Sequence, residues 1–493
     1  MANPKSMMLF IGRNGPVPVG GSTDITILTS ILHGSKSLSE IFNTSDLAKS
    51  TVFSSLKRLS ESGLLCSEGS GNEKKYSLCA VPVFRTCDPE DESPESFFEA
   101  CLLPSTKGFY RNMFYYMIMI ATQNGISLQP MLTNYALLLG NVAYSIIGHP
   151  TADVGLRNLV DYLTESDAGD MEVKEMIPLH IGISVMPELT SRAADTYVEF
   201  ISTIVARFVS LCAEATYVIE KIENKGNNVF DIRFTPSKIP YPQAYGVIPL
   251  SSIEIEPDEN VLSVYRTKSG FQLLSDPVQA SVMSVIRTKV ASAKELSEIL
   301  GLDIKTVSST LNKLNSMELI SISQSPSRTA YRSRNRPLIV WDSAEHSEPI
   351  RIDLDLKKAF LEKDYFFYYV VSYMIARVGS TGADITGMLF SFAAHTAEHM
   401  LSKLETPTMK SAIQMLDCCS FRKIYVESFM PFSAVTVSDH DIDADIALHL
   451  AHFDTMFLGK LIESITGHMH SVTESRIYGE GNRYHAFTIK PVN

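Results

Sequence analysis

One stretch of the chain repeats another at a fixed distance, and this constrains the fold more than any single motif. Val52-Phe-Ser-Ser-Leu-Lys-Arg-Leu59 aligns with Val307-Ser-Ser-Thr-Leu-Asn-Lys-Leu314 at a shift of 255 residues. The aromatic run from Phe109 to Ala121 aligns with Asp364 to Ala376 in the same register. Val218 to Asn227, followed by Val229 to Phe234, aligns with Val472 to Asn482, followed by Tyr484 to Ile489, within a residue of that shift. Three matches in one register across a whole half indicate a tandem duplication, with copies at about 24–235 and 276–490. The chain has 493 residues, and at about 150 residues per domain that length suggests three or four domains. The expected division is an N-terminal segment 1–22, a first unit 23–86, a second unit 97–235, a linker 236–272, then the same two units at 273–337 and 350–493. The linker is rich in proline and polar turn-forming residues, as suits an exposed connection.

The first unit of each copy reads as three helices and a hairpin. Helices are expected at Asp24 to His33, from Leu38, and at Lys49 to Gly63. In the third, Val52, Leu56 and Leu59 fall at i, i+4 and i+7, a single apolar stripe that packs inward. Ser50, Thr51, Ser54, Lys57 and Arg58 occupy the remaining face, with hydroxyls and cations suited to base edges and phosphates. Gly63 closes the helix, and the hairpin that follows carries Lys74 and Lys75 near its tip. In the second copy Gly301 makes the turn, Asp303 caps the helix Ile304 to Ser316, and Lys305, Thr306, Ser309, Asn312 and Lys313 take the outward face. Arg328 and Arg332 lie on its hairpin, with Arg334 and Arg336 just beyond.

This arrangement, with S-T-V-x-x-x-L-x-x-L-x-x-x-G-L after an apolar second helix, resembles the winged helix-turn-helix of ArsR-like transcriptional regulators over about 60 residues of each copy. The second copy departs from it at Met317-Glu318, where the usual glycine is missing. The resemblance implies double-stranded DNA as partner. The overall charge of −12 opposes that, because phosphate binding needs local positive potential. Counted locally, 24–85 is net +1 and 276–336 is net +4, so the acidity lies elsewhere. Near-neutrality in the first copy leaves open a winged helix used for protein contacts, in a signalling or scaffold protein that does not bind DNA.

The second unit of each copy opens with aromatic-rich helices. In the second copy these are followed by strands at Phe421 to Phe429 and Ala434 to Ser438, a helix at Asp445 to Thr466, and terminal strands at Met469 to Tyr478 and Arg483 to Ile489. The order is similar to that of the 4-vinyl reductase domain, a small-molecule-binding fold. An ArsR-like head on that domain resembles the redox-responsive regulators of methanogenic archaea. The fold class implied is α+β, with two winged helix-turn-helix domains alternating with two mixed α/β ligand domains. The family's terminal cysteines are replaced here by Arg476 or Ile477 with His485, and by Glu223 or Asn224 with Phe230 or Asp231.

Nine of the twelve histidines lie in the second copy. His395 and His399 are four apart on one expected helix, and His449 and His452 three apart on another, so each pair shares a face and could hold a metal or flank a haem. His468, His470 and His485 lie near the terminal hairpin, and Asp439 and Asp441 flank His440. The competing reading is that these histidines simply line surfaces or pockets. Seven cysteines without a CxxC pair argue against a disulfide framework and for a reducing cytoplasm. Cys418 and Cys419 are the candidates for a redox response.

The uncharged stretch 112–152 approaches the length of a membrane span. Asn124, Gln129, Asn134 and Asn141 interrupt it, so a buried helical hairpin is expected instead, with no membrane and no export signal. Nucleotide-binding, zinc-protease and nucleophile-elbow motifs are missing, so the chain is not expected to be an enzyme. The leading expectation is a transcriptional regulator, responsive to a ligand, metal or redox signal, that reads a quasi-palindromic operator with two winged helices of one chain. A monomer would then do the work of a dimer, and a homodimer is the alternative.

Overall fold

The computed structural model describes residues 7–90, 106–237, 261–342, 357–411, 423–476 and 484–492, apart from short gaps at 13–14, 33, 35, 72–73, 269, 326–327, 362, 380–385, 403–407 and 412. A further gap covers 440–443. The architecture is mixed α+β with small antiparallel sheets.

The chain opens with β1 (Met7–Gly12) and β2 (Gly15–Gly20), followed by α1 (Ser22–Ile31), β3 (Lys36–Ser37), α2 (Leu38–Ser45) and α3 (Lys49–Glu61). A hairpin of β4 (Leu65–Glu68) and β5 (Lys75–Leu78) follows, then β6 (Val81–Thr86). After residue 260 the same order returns as β12 (Val261–Thr267), β13 (Gly270–Leu274), α8 (Pro277–Thr288), α9 (Ala293–Leu300), α10 (Ile304–Ser316), β14 (Ile320–Ser325), β15 (Arg328–Ser333) and β16 (Ile339–Asp342). The boundaries expected from sequence need correction here. Residues 7–20 of the expected N-terminal segment, and the last residues of the expected linker from 261 on, are strands of their units: β1 pairs with β2 and β6, and β12 pairs with β13 and β16.

Local chemistry repeats with the order. Ser37 and Glu40 form a capping box on α2, and Ser292 and Glu295 form one on α9. The bridge Ala291–Tyr331 stands where Lys36 pairs with Tyr76. Gly63 (φ 71°) and Glu318 (φ 59°) both take the left-handed conformation just past the third helix. The departure at Met317-Glu318 therefore leaves the turn unchanged, with a glutamate in a conformation that favours glycine.

The second units also share one topology. In the first copy α4 (Thr106–Gln123), β7 (Ile126–Ser127), α5 (Gln129–Ile147) and α6 (Ala152–Glu165) lead to β8 (Asp170–Met176) and β9 (Leu179–Ser184). Then come α7 (Ser191–Cys212), β10 (Tyr217–Gly226) and β11 (Val229–Pro236), in a sheet ordered β8-β9-β11-β10. In the second, α11 (Lys358–Leu361), α12 (Phe366–Gly379) and α13 (Thr386–Ser402) precede β17 (Lys423–Phe429), β18 (Phe432–Asp439), α14 (Ala444–Thr466), β19 (His470–Arg476) and β20 (Tyr484–Pro491). That sheet runs β17-β18-β20-β19, the same order.

The helical hairpin expected over 112–152 does not form, because α4 and α5 each pack on α7. Two of the polar residues of that stretch find partners inside. Gln129 donates to Glu199 at 2.5 Å, and Asn141 accepts from the buried Arg207 at 2.6 Å. Gly140 permits the close crossing of α5 and α7, where a Cβ would lie 2.7 Å from Cβ of Arg207. Among the described residues no single helix is long and apolar enough to cross a membrane, and the pair α5 and α6, which passes only jointly, is bent by 110°.

The two halves meet in an aromatic core. Helix α4 lies against α12, with the Tyr110 and Tyr368 rings 4.7 Å apart and Phe114 and Phe367 5.9 Å apart. Tyr162 on α6 packs on Phe360 and donates to the carbonyl of Ala359, while Lys363 reaches Glu165 at 2.7 Å. One continuous core thus runs from Met7 to Phe487. The unit built on α8–α10 keeps a separate core of its own, including Val282, Leu296, Val307 and Leu311.

Candidate nucleic-acid interface

Helix α3 buries Val52, Leu56 and Leu59 as the stripe requires, together with Ser55. Of the outward candidates, Ser50, Ser54, Lys57 and Arg58 are exposed and Thr51 is half-buried. Two of the cations are engaged on the protein itself. Lys57 sits 3.8 Å from Glu61 one turn on, a solvated pair that costs little to break. Arg58 donates to both carboxylate oxygens of Asp24, so it fastens α3 to α1 instead of standing free. Sequence reasoning missed Phe53, which is 56% exposed on this face. An apolar ring there suits a thymine methyl or a protein surface. Its signal was legible, since Phe53 lies off the Val52, Leu56 and Leu59 stripe.

On the hairpin, the ammonium of Lys74 sits 5.3 Å from the Tyr76 ring centroid, a cation–π contact. Lys75 lies in β5 opposite Glu68 and Ser37. Cys66 on β4 and Cys79 just after β5 form a disulfide. The expectation of unpaired cysteines is corrected at this pair. Antiparallel pairing sets Cys66 across from Ser77, one diagonal step from Cys79, and brings their Cα atoms to 5.7 Å.

Helix α10 is the more open of the two. Asp303 accepts from the backbone N–H groups of Lys305 and Thr306, both at 2.9 Å, and from the Thr306 hydroxyl. These bonds hold the Asp303 carboxyl below its ordinary range, and they turn Thr306 toward the cap. Lys305, Ser309, Asn312 and Lys313 are exposed, and Val307, Thr310, Leu311 and Leu314 are buried. Arg332 is exposed on β15 and donates to the Ser321 hydroxyl at 3.3 Å. Arg328 opens the same strand opposite Ser325, and its side chain is outside the described residues.

The histidine candidates lie on helices that touch. His395 and His399 are on α13, His449 and His452 are on α14, and the two helices pack together, tied by Lys460 to Glu398 at 3.5 Å. The four imidazoles are outside the described side chains, and Cys418 and Cys419 are outside the described residues altogether. Among the described residues no group of three or more histidine, cysteine or acidic side chains could hold a metal.

The positions matching the family's terminal cysteines face one another across strand pairs, Arg476 opposite His485 and Glu223 opposite Asp231. In the first copy they are absorbed into an ionic ladder, with Lys174 at 2.6 Å from Asp231 and Lys225 at 2.8 Å from Glu223. Lysine hydrogen bonds hold Glu223 down to about 2.

Compared with protein-family models, with curated proteins and with solved structures, the chain matches none.

Proposed function

We propose that the chain is a DNA-binding transcriptional regulator whose two three-helix-and-hairpin units act as winged helix-turn-helix readers of the two halves of a quasi-palindromic operator. The two helix-and-sheet units, read as 4-vinyl reductase-like domains, take a small-molecule, metal or redox effector. The observation that carries this reading is the exposed face of α10. Lys305, Ser309, Asn312 and Lys313 project from a helix whose opposite stripe is buried. Cations there suit phosphates, and the amide of Asn312 suits an adenine edge. Joining both readers in one chain removes the need for a second subunit to place two recognition helices about one helical turn apart.

The test is binding of the full chain to genomic fragments, followed by footprinting and a salt titration. A reader of both half-sites protects a two-lobed site, and its affinity falls steeply with salt. Protection of a single half-site per chain would sink the reading.

A second reading is favoured by the first copy. With Arg58 engaged by Asp24 and Phe53 exposed, α3 offers an apolar, weakly cationic face that suits a protein partner. Under that reading the chain is a signalling or scaffold protein, and its DNA affinity, if measurable, does not depend on Lys305 or Lys313.

A further inference from the structure

The first hairpin carries a cross-link that the second does without. Cys66 and Cys79 are joined by a disulfide, and the residues 255 positions further on are Ser321 and Arg334. The two places are structurally equivalent. The backbone N–H of Cys79 donates to the carbonyl of Leu64 at 2.9 Å, and that of Arg334 donates to the carbonyl of Leu319 at 2.9 Å.

The first hairpin is also the shorter one. Its ladder runs over four residue pairs, Leu65–Leu78 to Glu68–Lys75, against six in the second, Ile320–Ser333 to Ser325–Arg328. Strand β4 is the edge of its sheet, ordered β3-β5-β4, and among the described residues β5 is its one strand partner. Leu65 is buried, but Cys66, Ser67 and Glu68 are all exposed. Past Leu65 this outer strand is therefore held by a short ladder and one covalent bond, so its order depends on that bond more than the second hairpin's depends on any single contact.

The bond is open to attack from one side. Cys66 is exposed, with its sulfur 3.3 Å from the Ser77 hydroxyl across the ladder, and Cys79 is half-buried. Thiol–disulfide exchange requires access to one of the two sulfurs. The sulfur of Cys66 takes the incoming thiolate, the Cys66–Cys79 bond breaks, and Cys79 leaves as a thiolate that protonates from solvent. The second thiol of the same reductant then attacks the mixed disulfide and releases Cys66. Two electrons and two protons pass to the hairpin, and the dithiol reductant is left as its disulfide.

We propose that the Cys66–Cys79 pair is a redox-active modification site, opened by a dithiol reductant at Cys66, whose state fixes or frees the first hairpin and leaves the second unaffected. The site itself does not rest on the chain's binding DNA; its consequence for an operator does.

The full chain is equilibrated in a series of glutathione buffers and with dithiothreitol. Alkylation of Cys66 and Cys79 is followed by mass spectrometry, together with amide hydrogen exchange over 65–78 and 320–333. The expected result is that both cysteines are reduced together under native conditions and that exchange over 65–78 quickens by at least about tenfold. Exchange over 320–333 stays the same, and glutathione disulfide restores the slow state. Cys66→Ser holds the fast-exchanging state in every buffer. If that variant fails to fold, the reversible cycle of the unaltered chain still decides the matter. A bond that dithiothreitol opens only once denaturant has unfolded the chain is a structural staple and overturns the proposal. So does reduction that leaves exchange over 65–78 unchanged, or a response to reductant that persists in Cys66→Ser. DNA affinity is then measured in both redox states. Its absence from both sinks the reader proposed above and leaves the redox site standing.

Discussion

Arg58 on α3 donates to both carboxylate oxygens of Asp24 on α1, each at 2.6 Å, with Asp24 10% exposed and Arg58 62% exposed. A cation that the helical pattern assigns to a ligand is in fact spent on holding two helices together. Asp24→Ala and Arg58→Ala should each lower stability by about 1 kcal/mol, because one partner is largely shielded and the other largely solvated. A double-mutant cycle by urea unfolding checks this. Additive losses would show that the pair is not coupled.

On α10 Lys305 and Lys313 have no ionic partner among the described residues. Under the proposed DNA-binding reading, Lys313→Ala should weaken binding evenly across sequences and flatten the salt dependence by about one unit of slope. Asn312→Ala should cost about 1–3 kcal/mol at one base position. Quantitative binding at several salt concentrations, on matched and mismatched sites, separates these effects.

The left-handed residue after the third helix is glycine in one copy and glutamate in the other. Gly63→Ala should destabilise by about 1 kcal/mol, and Glu318→Gly should stabilise by a similar amount, since the conformation penalises any side chain. No atom lies within 4 Å of a Cβ placed on Gly63, so the loss is conformational and not steric. Thermal unfolding of the two variants reads opposite shifts.

The Cys66–Cys79 disulfide closes a short loop, 13 residues apart in sequence. Reducing it, or substituting Cys66→Ser, should lower stability by at most about 3 kcal/mol. Thiol alkylation with and without reductant should differ by two sites, and melting should shift only in the protein that carries both cysteines.

Glu199 is desolvated between α5 and α7, and burial pushes its carboxyl above 4.5, with Asp195 adding to the rise and Gln129 and Arg85 opposing it. A carboxyl raised in the folded state binds its proton more tightly there than in the unfolded chain. Its contribution is fully present below the unfolded value and is lost as pH rises through the folded one. Glu199→Gln should therefore stabilise the protein at neutral pH, and the gain should vanish in acid. Urea midpoints at several pH values check the sign.

Much of the helical framework was legible because its signals are local. The Val307, Leu311 and Leu314 stripe and the Asp303 cap fix α10 within a few residues of chain. The opening hairpin was not legible, because Pro16 and Pro18 argue against a strand. They are tolerated because β2 is the edge of its sheet. The engagement of Arg58 depends on a partner 34 residues away, and the bond from Tyr162 to the carbonyl of Ala359 spans 197 residues. Neither separation leaves a periodicity to read. The disulfide needed hairpin register, which sequence spacing alone does not supply.

Because both halves belong to one chain, the pairing that brings Tyr110 against Tyr368 is independent of dilution. Two separate subunits fall apart as their concentration falls, and any substitution in one is carried by the other. Here each half can change alone while the partner stays at its side. The disulfide in the first hairpin, where the second carries Ser321 and Arg334, shows how far the two halves have diverged under that freedom.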